Sequence, residues 1–196
     1  MPTIATLATD RLILRPPAPG DLEDIVALNA DPDVMAFIGN GETQSRAQSA
    51  HWLETLMATA RYGHPSPGAP EWIPGWFVTI EQESGAFAGL MALTMLPRLH
   101  IEAIGEDLCP APCVELGFRY AKPFWGRGYA TEAGARLVRY AFDNGLNQLV
   151  AIADVRNHAS NRALEKLGLA HRKTYELNGI TINFRSMDLR PSAQTT

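Results

Sequence analysis

Residues 114–141, V-E-L-G-F-R-Y-A-K-P-F-W-G-R-G-Y-A-T-E-A-G-A-R-L-V-R-Y-A, restrict the fold more than any other stretch of the chain. The apolar run 114–120 reads as a strand, and Pro123 ends its pairing. Trp125-Gly126-Arg127-Gly128-Tyr129-Ala130 is a glycine-punctuated loop that runs directly into a segment of helical apolar spacing. At a strand-loop-helix junction the first helical N–H groups have no partner inside the helix, and the aligned peptide dipoles place about half a positive charge there. Such an end accepts a phosphate. Gly126 and Gly128 lack a Cβ and let the backbone approach a diphosphate closely. The spacing is neither G-x-G-x-x-G nor G-x-x-x-x-G-K-[ST], so the dinucleotide and P-loop readings are disfavoured, the latter also for want of an evident Mg²⁺ ligand set.

The helical segment after the loop carries Ala130, Ala133, Leu137, Val138, Ala141 and Phe142 on one face, and Asn144-Gly145 closes it. Residues 148–155 read as the next strand, and 157–167 as a helix stopped by Gly168. Two strands at 171–177 and 180–188 flank Asn178-Gly179, the strongest short hairpin signal in the chain. Upstream, Leu12, Ile13 and Leu14 form a first short strand. Residues 21–29 are expected to form a short helix with Asp21 as N-cap, ended near Asp31-Pro32. A second helix is expected over 43–62 with Trp52, Leu53, Leu56 and Met57 on its core stripe. Residues 63–74 are a loop by composition, 76–81 and 87–94 a strand hairpin around Glu83-Ser84-Gly85, 96–112 an irregular excursion, and 191–196 a frayed tail. These elements predict an α+β fold.

At 196 residues, 46% hydrophobic and 19% charged, the chain is expected to be one soluble globular domain over 1–196, with its core at about 9–189. A net charge of −4 argues against nucleic acid as the main partner, and no apolar run approaches a membrane span. The start, Met1-Pro2-Thr3-Ile4-Ala5, lacks the basic flank and apolar core of a secretion signal, which points to the cytoplasm. Cys109 and Cys113, in D-L-C-P-A-P-C without further ligands, are expected to be two thiols in or beside a loop, and no metal site is expected.

A second segment, V-R-N-H-A-S-N-R-A-L-E-K-L-G-L at 155–169, completes a pattern. With the glycine loop it resembles the GNAT N-acetyltransferases, and Thr9-Asp10-Arg11-Leu12-Ile13-Leu14-Arg15 is similar to the opening of their RimJ/RimL-like branch. The resemblance implies a GNAT fold, a mixed and mostly antiparallel sheet of about seven strands with about four helices, acetyl-CoA as acyl donor, and direct attack by a primary amine: a protein N-terminus or a small molecule. It implies that Trp125, Gly126, Arg127, Gly128, Tyr129, Ala130 and Thr131 hold the pyrophosphate, that Phe118, Arg119 and Tyr120 bond the pantetheine arm through their backbone, and that Asn157, Ser160 and Asn161 lie along it. Trp125 stands where the family often has Gln or Arg, and Leu164 where many members have a Tyr acid, which leaves Ser160 or no group to assist the leaving thiolate. Glu115 is the candidate general base, with Glu102, Glu81 and His100 behind it, although alternation alone leaves its face open and a bulge in this strand, frequent in the family, would shift it. Asn157 is equally suited to be an N-cap. The loop 63–74 and the helix before it are where the family binds its acceptor. Branch members often dimerise, and the 178–179 hairpin would supply an edge. A binding or regulatory module that keeps the cradle without transfer is the rival reading.

Overall fold

The computed structural model describes residues 6–62, 75–110 and 112–188. The expected loop at 63–74 and tail at 191–196 lie outside the described residues. One eight-stranded sheet runs in the order β1-β2-β3-β4-β5-β6-β8-β7. Its strands are β1 Leu7–Ala8, β2 Leu12–Arg15, β3 Gly75–Glu81, β4 Phe87–Met95, β5 Val114–Tyr120, β6 Gln148–Asp154, β7 Ala170–Leu177 and β8 Ile180–Asp188. All neighbours pair antiparallel except β5 and β6. The helices are α1 Leu22–Ala30, α2 Pro32–Met35, α3 Arg46–Tyr62, α4 Arg98–Ile104, α5 Tyr129–Asp143 and α6 His158–Lys166.

Alternation along the strands divides the sheet into two faces. On one, Leu12, Leu14, Phe77, Met91, Val114 and Leu116 pack beneath Ala133, Leu137 and Ala141 of α5 and Leu164 of α6. These α5 residues recur every four positions, so one helical stripe is enclosed. On the other face Val78 and Leu90 meet Leu28 of α1 and Val34 of α2, while Val150, Tyr175, Ile182 and Phe184 are covered by Ile104 of α4 and by Cys109 and Cys113. The two cysteines, expected as thiols, are joined to each other with Cα atoms 5.6 Å apart. Both side chains turn inward from the short Pro-containing loop, which brings them within disulfide reach.

The excursion at 96–112 contains α4, a helix too short for its spacing to stand out, and Asp31-Pro32 does more than end α1. Asp31 accepts the N–H of Asp33 and caps α2, with Pro32 at the first helical position, where its missing N–H costs nothing. Asp21 holds the N-cap position of α1 as expected, but its side chain takes no N–H of that helix; its carboxylate takes Arg15 at 2.6 and 2.8 Å and the Ala18 N–H at 2.7 Å. Asn178 and Gly179 have φ of 52° and 77°, the two left-handed positions a type I′ hairpin requires. No helix among the described residues is long and apolar enough to cross a membrane.

Candidate active site

Everything about the site follows from how β5 is paired. Its register with β4 is unbroken from Val114↔Met95 to Tyr120↔Gly89, so no bulge shifts Glu115 in this pairing. Leu96 N–H donates to Cys113 C=O, and Ala121 N–H to Ala88 C=O. The odd positions of β5 therefore turn their peptide groups toward β4, and the even positions turn theirs toward β6. Pairing with β6 is a single bridge at Glu115↔Val150. Beyond it the edge of β5 presents the N–H and C=O of Phe118 and the N–H of Tyr120 to the gap. This narrows the backbone set expected for the pantetheine arm to Phe118 and Tyr120, because the Arg119 peptide faces Leu90.

The C=O of Tyr120 accepts the indole N–H of Trp125 at 2.6 Å. Trp125 thus ties the glycine loop to the strand, which accounts for its standing where Gln or Arg is common. Gly126 and Gly128 have φ of 74° and 81°, and Gly128 is the N-cap of α5. Thr131 and Glu132 N–H both return to Gly128 C=O, whereas the N–H groups of residues 126–130 make no hydrogen bond among the described residues. A run of free N–H groups at the positive end of a fifteen-residue helix is an anion cradle. It fits a diphosphate.

Two cations adjoin this loop, and the sequence pointed only to one. Arg127 donates to Glu81 Oε1 at 2.9 Å and lies over Phe124, so its charge is shared with that carboxylate. Hydrogen bonds from Ser84, Tyr129 and Arg127 hold the Glu81 carboxyl below its usual range, which removes Glu81 as a base. Arg11 is the addition. It binds Glu132 in the first turn of α5 at 2.6 Å, stacks over Tyr129 at 4.6 Å, and its Nη2 would be 3.7 Å from a Cβ at Gly128. Its place in T-x-R-L-x-L-R was the only signal for it. Arg11→Ala is expected to weaken CoA binding roughly fivefold or more, about 1 kcal/mol, because it also leaves the Glu132 carboxylate beside the phosphates. Calorimetry at low and high salt checks this, the loss shrinking as salt rises.

On the opposite face of β5 stand Glu115, Gly117 and Arg119. Glu115 and Gly117 are partly accessible although they lie in the middle of the sheet, so this face is open between α1–α3 and α4. A Cβ at Gly117 would meet only Ala92 Cβ, at 3.8 Å, and the glycine leaves a shallow floor. Burial pushes the Glu115 carboxyl up to about 7. On the flank, His100 Nδ1 lies 2.6 Å from the Tyr175 hydroxyl. Burial first, and the Glu115 charge second, raise the Tyr175 phenol, so Tyr175 stays protonated and shares a hydrogen bond with His100, whose own pKa burial lowers. His100 serves that pair. Glu102 is exposed and bonded to Arg98.

Asn157 caps α6, accepting the Ser160 N–H at 3.1 Å. Asn157→Ala is expected to cost about 1 kcal/mol while Asn157→Asp retains most of it, read as urea midpoints. Asn161 is buried with its amide committed to the carbonyls of Asp154 and Asn157 and to Asn183, each within 3.0 Å, and so anchors α6 behind the gap. Leu164 is enclosed in the core.

A family description for an acetyltransferase (GNAT) domain matches residues 11–170. The chain belongs to the GNAT acetyltransferase family. It is 30% identical over 175 residues, 87% of this chain and 67% of the relative, to FsC-acetyl coenzyme A-N(2)-transacetylase of Aspergillus fumigatus. A GNAT acetyltransferase from Bacillus anthracis superposes with a TM-score of 0.73 at 18% identity, covering 94% of this chain and 99% of that one. Spermidine N-acetyltransferase from Vibrio cholerae, solved with CoA and spermine, superposes at 0.64 and 19% identity over 91% and 96% of the two chains. This GNAT chain has the family fold, with eight strands and six α-helices among the described residues, and it catalyses acetyl-CoA-dependent acetyl transfer. No group of three or more potential metal ligands occurs among the described residues.

Proposed function

We propose that the acceptor is a primary amine, that it attacks the acetyl group directly, and that Glu115 is the general base. The observation that carries this reading is the position of Glu115: at the last paired residue before β5 and β6 separate, partly accessible, with a carboxyl that titrates at about 7. A carboxylate of that basicity takes a proton efficiently near neutrality, whereas an ordinary one is too weak a base. The cradle at residues 126–130 and the Phe118 and Tyr120 edge hold CoA, which supplies an activated acetyl group. The Phe118 N–H, aimed into the gap, is the donor placed to meet a developing oxyanion, and such a donor contributes about 3 kcal/mol to the barrier. Asn157 and Ser160 stand at the far side, on the first turn of α6.

Relatives support a nitrogen acceptor. The Aspergillus fumigatus protein is named for N(2) transfer, and the Vibrio cholerae neighbour holds spermine. A RimL α-N-protein acetyltransferase solved with CoA superposes at 0.69 and 14% identity, in keeping with the RimJ/RimL-like opening at residues 9–15. Thiol release from acetyl-CoA against varied amine tests the reading. Direct attack gives intersecting double-reciprocal lines and no thiol without amine; parallel lines would require a covalent enzyme intermediate and overturn it.

A further inference from the structure

Arg119 is 8% exposed and has no carboxylate among the described residues within salt-bridge distance. Buried guanidinium groups are nearly always paired, because an isolated interior charge is costly. Here the group is held by neutral partners. Nη1 donates to Asn29 Oδ1 at 2.6 Å and touches Met35 Sδ at 3.5 Å, and the plane lies 4.6 Å from the Trp52 ring and 5.7 Å from that of Trp76. Asn29 is itself fixed, donating to Gln44 Oε1 at 3.0 Å and Ser49 Oγ at 3.2 Å. Nε is buried without a partner, and Nη2 makes no hydrogen bond among the described residues. A guanidinium offers two forks to a carboxylate, the Nη1–Nη2 end and the Nε–Nη2 side. The first is blocked at Nη1 by Asn29; the second has no partner, Nε lying buried and unsatisfied beside the unbonded Nη2.

Register places Arg119 on the face of β5 that carries Glu115. Glu115, Gly117 and Arg119 share one face of β5, and Ala92 and Leu90 of β4 lie beside the last two. Four residues of strand separate the base from the cation, about 13 Å between Cα atoms, and midway between them the floor is Gly117 beside the Ala92 methyl. The half-buried rings of Trp52 and Trp76, edge to face at 5.4 Å, form the wall over Arg119.

Building on the amine reading above, we propose that Arg119 recognises a carboxylate on the acceptor, so that the substrate is an extended amino acid-like molecule whose amine reaches Glu115 while its carboxylate engages the Nε–Nη2 fork. The neutral cage keeps the guanidinium unneutralised until substrate arrives, and Asn29, Gln44 and Ser49 are its positioning residues.

The test is calorimetric titration of the CoA-saturated protein with ω-aminoalkanoates from glycine to 8-aminooctanoate, each beside its carboxamide. An acid in the middle or upper part of the series is expected to bind at least tenfold tighter than its amide. In Arg119→Met that ratio falls to near one; in Arg119→Lys, which keeps the charge but loses the fork, it is intermediate. Arg119→Met also leaves the buried Asn29 Oδ1 without its donor, so its Tm is expected to fall whatever the role of Arg119, and the acid-to-amide ratio is the readout that decides. Equal affinity for acid and amide at every length overturns the proposal, as does an unchanged ratio in Arg119→Met, which would assign Arg119 to packing. Thiol release is followed in parallel. Selective binding of acids without thiol release upholds the carboxylate fork and rejects amine transfer, whereas thiol release that treats acids and amides alike upholds transfer and rejects the fork.

Discussion

Glu115→Gln lowers kcat/KM for amine acetylation by 10²–10⁴-fold, roughly the full contribution of a positioned general base, and abolishes the inflection that the wild-type profile shows near pH 7. The sign follows from the base having to be ionised. The wild-type rate rises through the Glu115 pKa of about 7 as the carboxylate forms, and it flattens above. In the variant only the acceptor ammonium titrates, so the profile climbs with the pKa of the amine used and moves when the amine is changed. A wild-type profile that moved in the same way with the amine, or a variant that kept the inflection near 7, would remove Glu115 from proton transfer. Stability moves the other way. Desolvation raises the folded-state pKa above the ordinary carboxylate value, so the native protein binds the proton more tightly than the unfolded chain does. Folding stability therefore declines as pH rises from about 4.5 toward 7, by on the order of 3 kcal/mol. Glu115→Gln, neutral at every pH, should be the more stable protein at pH 8 and lose this dependence, which urea midpoints across pH 5 to 8 would register.

Gly89→Ala is expected to be among the most damaging single substitutions in the chain, because the obstacle is backbone and cannot turn aside. β3 and β4 slip register here, pairing Thr79 with Gly89 and Ile80 with Phe87, so that Ala88 is the extra residue of a bulge. Gly89 has φ of 156°, and a Cβ on it would lie 2.4 Å from Arg119 C=O and 2.7 Å from Tyr120 Cα. Relieving that contact means pushing β4 from β5 at Tyr120, where the open edge of β5 ends. The expected loss is about 3 kcal/mol or more, seen as a lower urea midpoint and a raised KM for acetyl-CoA. Gly85→Ala is the control: its φ of 71° is strained too, but no atom lies within 4 Å of the new methyl. A midpoint for Gly89→Ala equal to that of Gly85→Ala would refute the steric account.

What could be read from the chain beforehand was what local chemistry dictates. The glycine loop, the α5 stripe, the Asn178-Gly179 hairpin and the Asn157 cap each rest on residues within one turn or a few positions of one another, and each stands where expected. The features that were missed depend on distance or on brevity. β1 is two residues long and α2 four, too short for any period, and Pro32 gives the same signal whether it ends one helix or begins another. Glu115 could be named as a base from sequence, but its face was set by pairing with β4, and its basicity by how the sheet encloses it. His100 and Tyr175 meet across 75 residues, and Arg119 and Asn29 across 90. Nothing in either neighbourhood encodes the other. The same holds for Asn161, whose motif position suggested a cofactor contact but whose amide is taken up by β6 and β8.

The lone bridge between Glu115 and Val150 has a mechanical meaning. Five strands lie on one side of it and three on the other, and along the gap beyond that bridge the halves are held together by α5 and α6, where Gly134 lets Leu167 approach so closely that an added Cβ would be 2.6 Å from it. On the proposed placement of CoA along the open edge of β5, the donor acts as a missing rung as well as a substrate. At a hundred times its Kd it would add about 2.7 kcal/mol to the folded state, and that gain should fall unevenly. Amide hydrogens of β6 and of the β5 edge would exchange more slowly in the CoA complex, while those of β1 to β3, already laddered on both sides or remote from the gap, would be nearly indifferent to it.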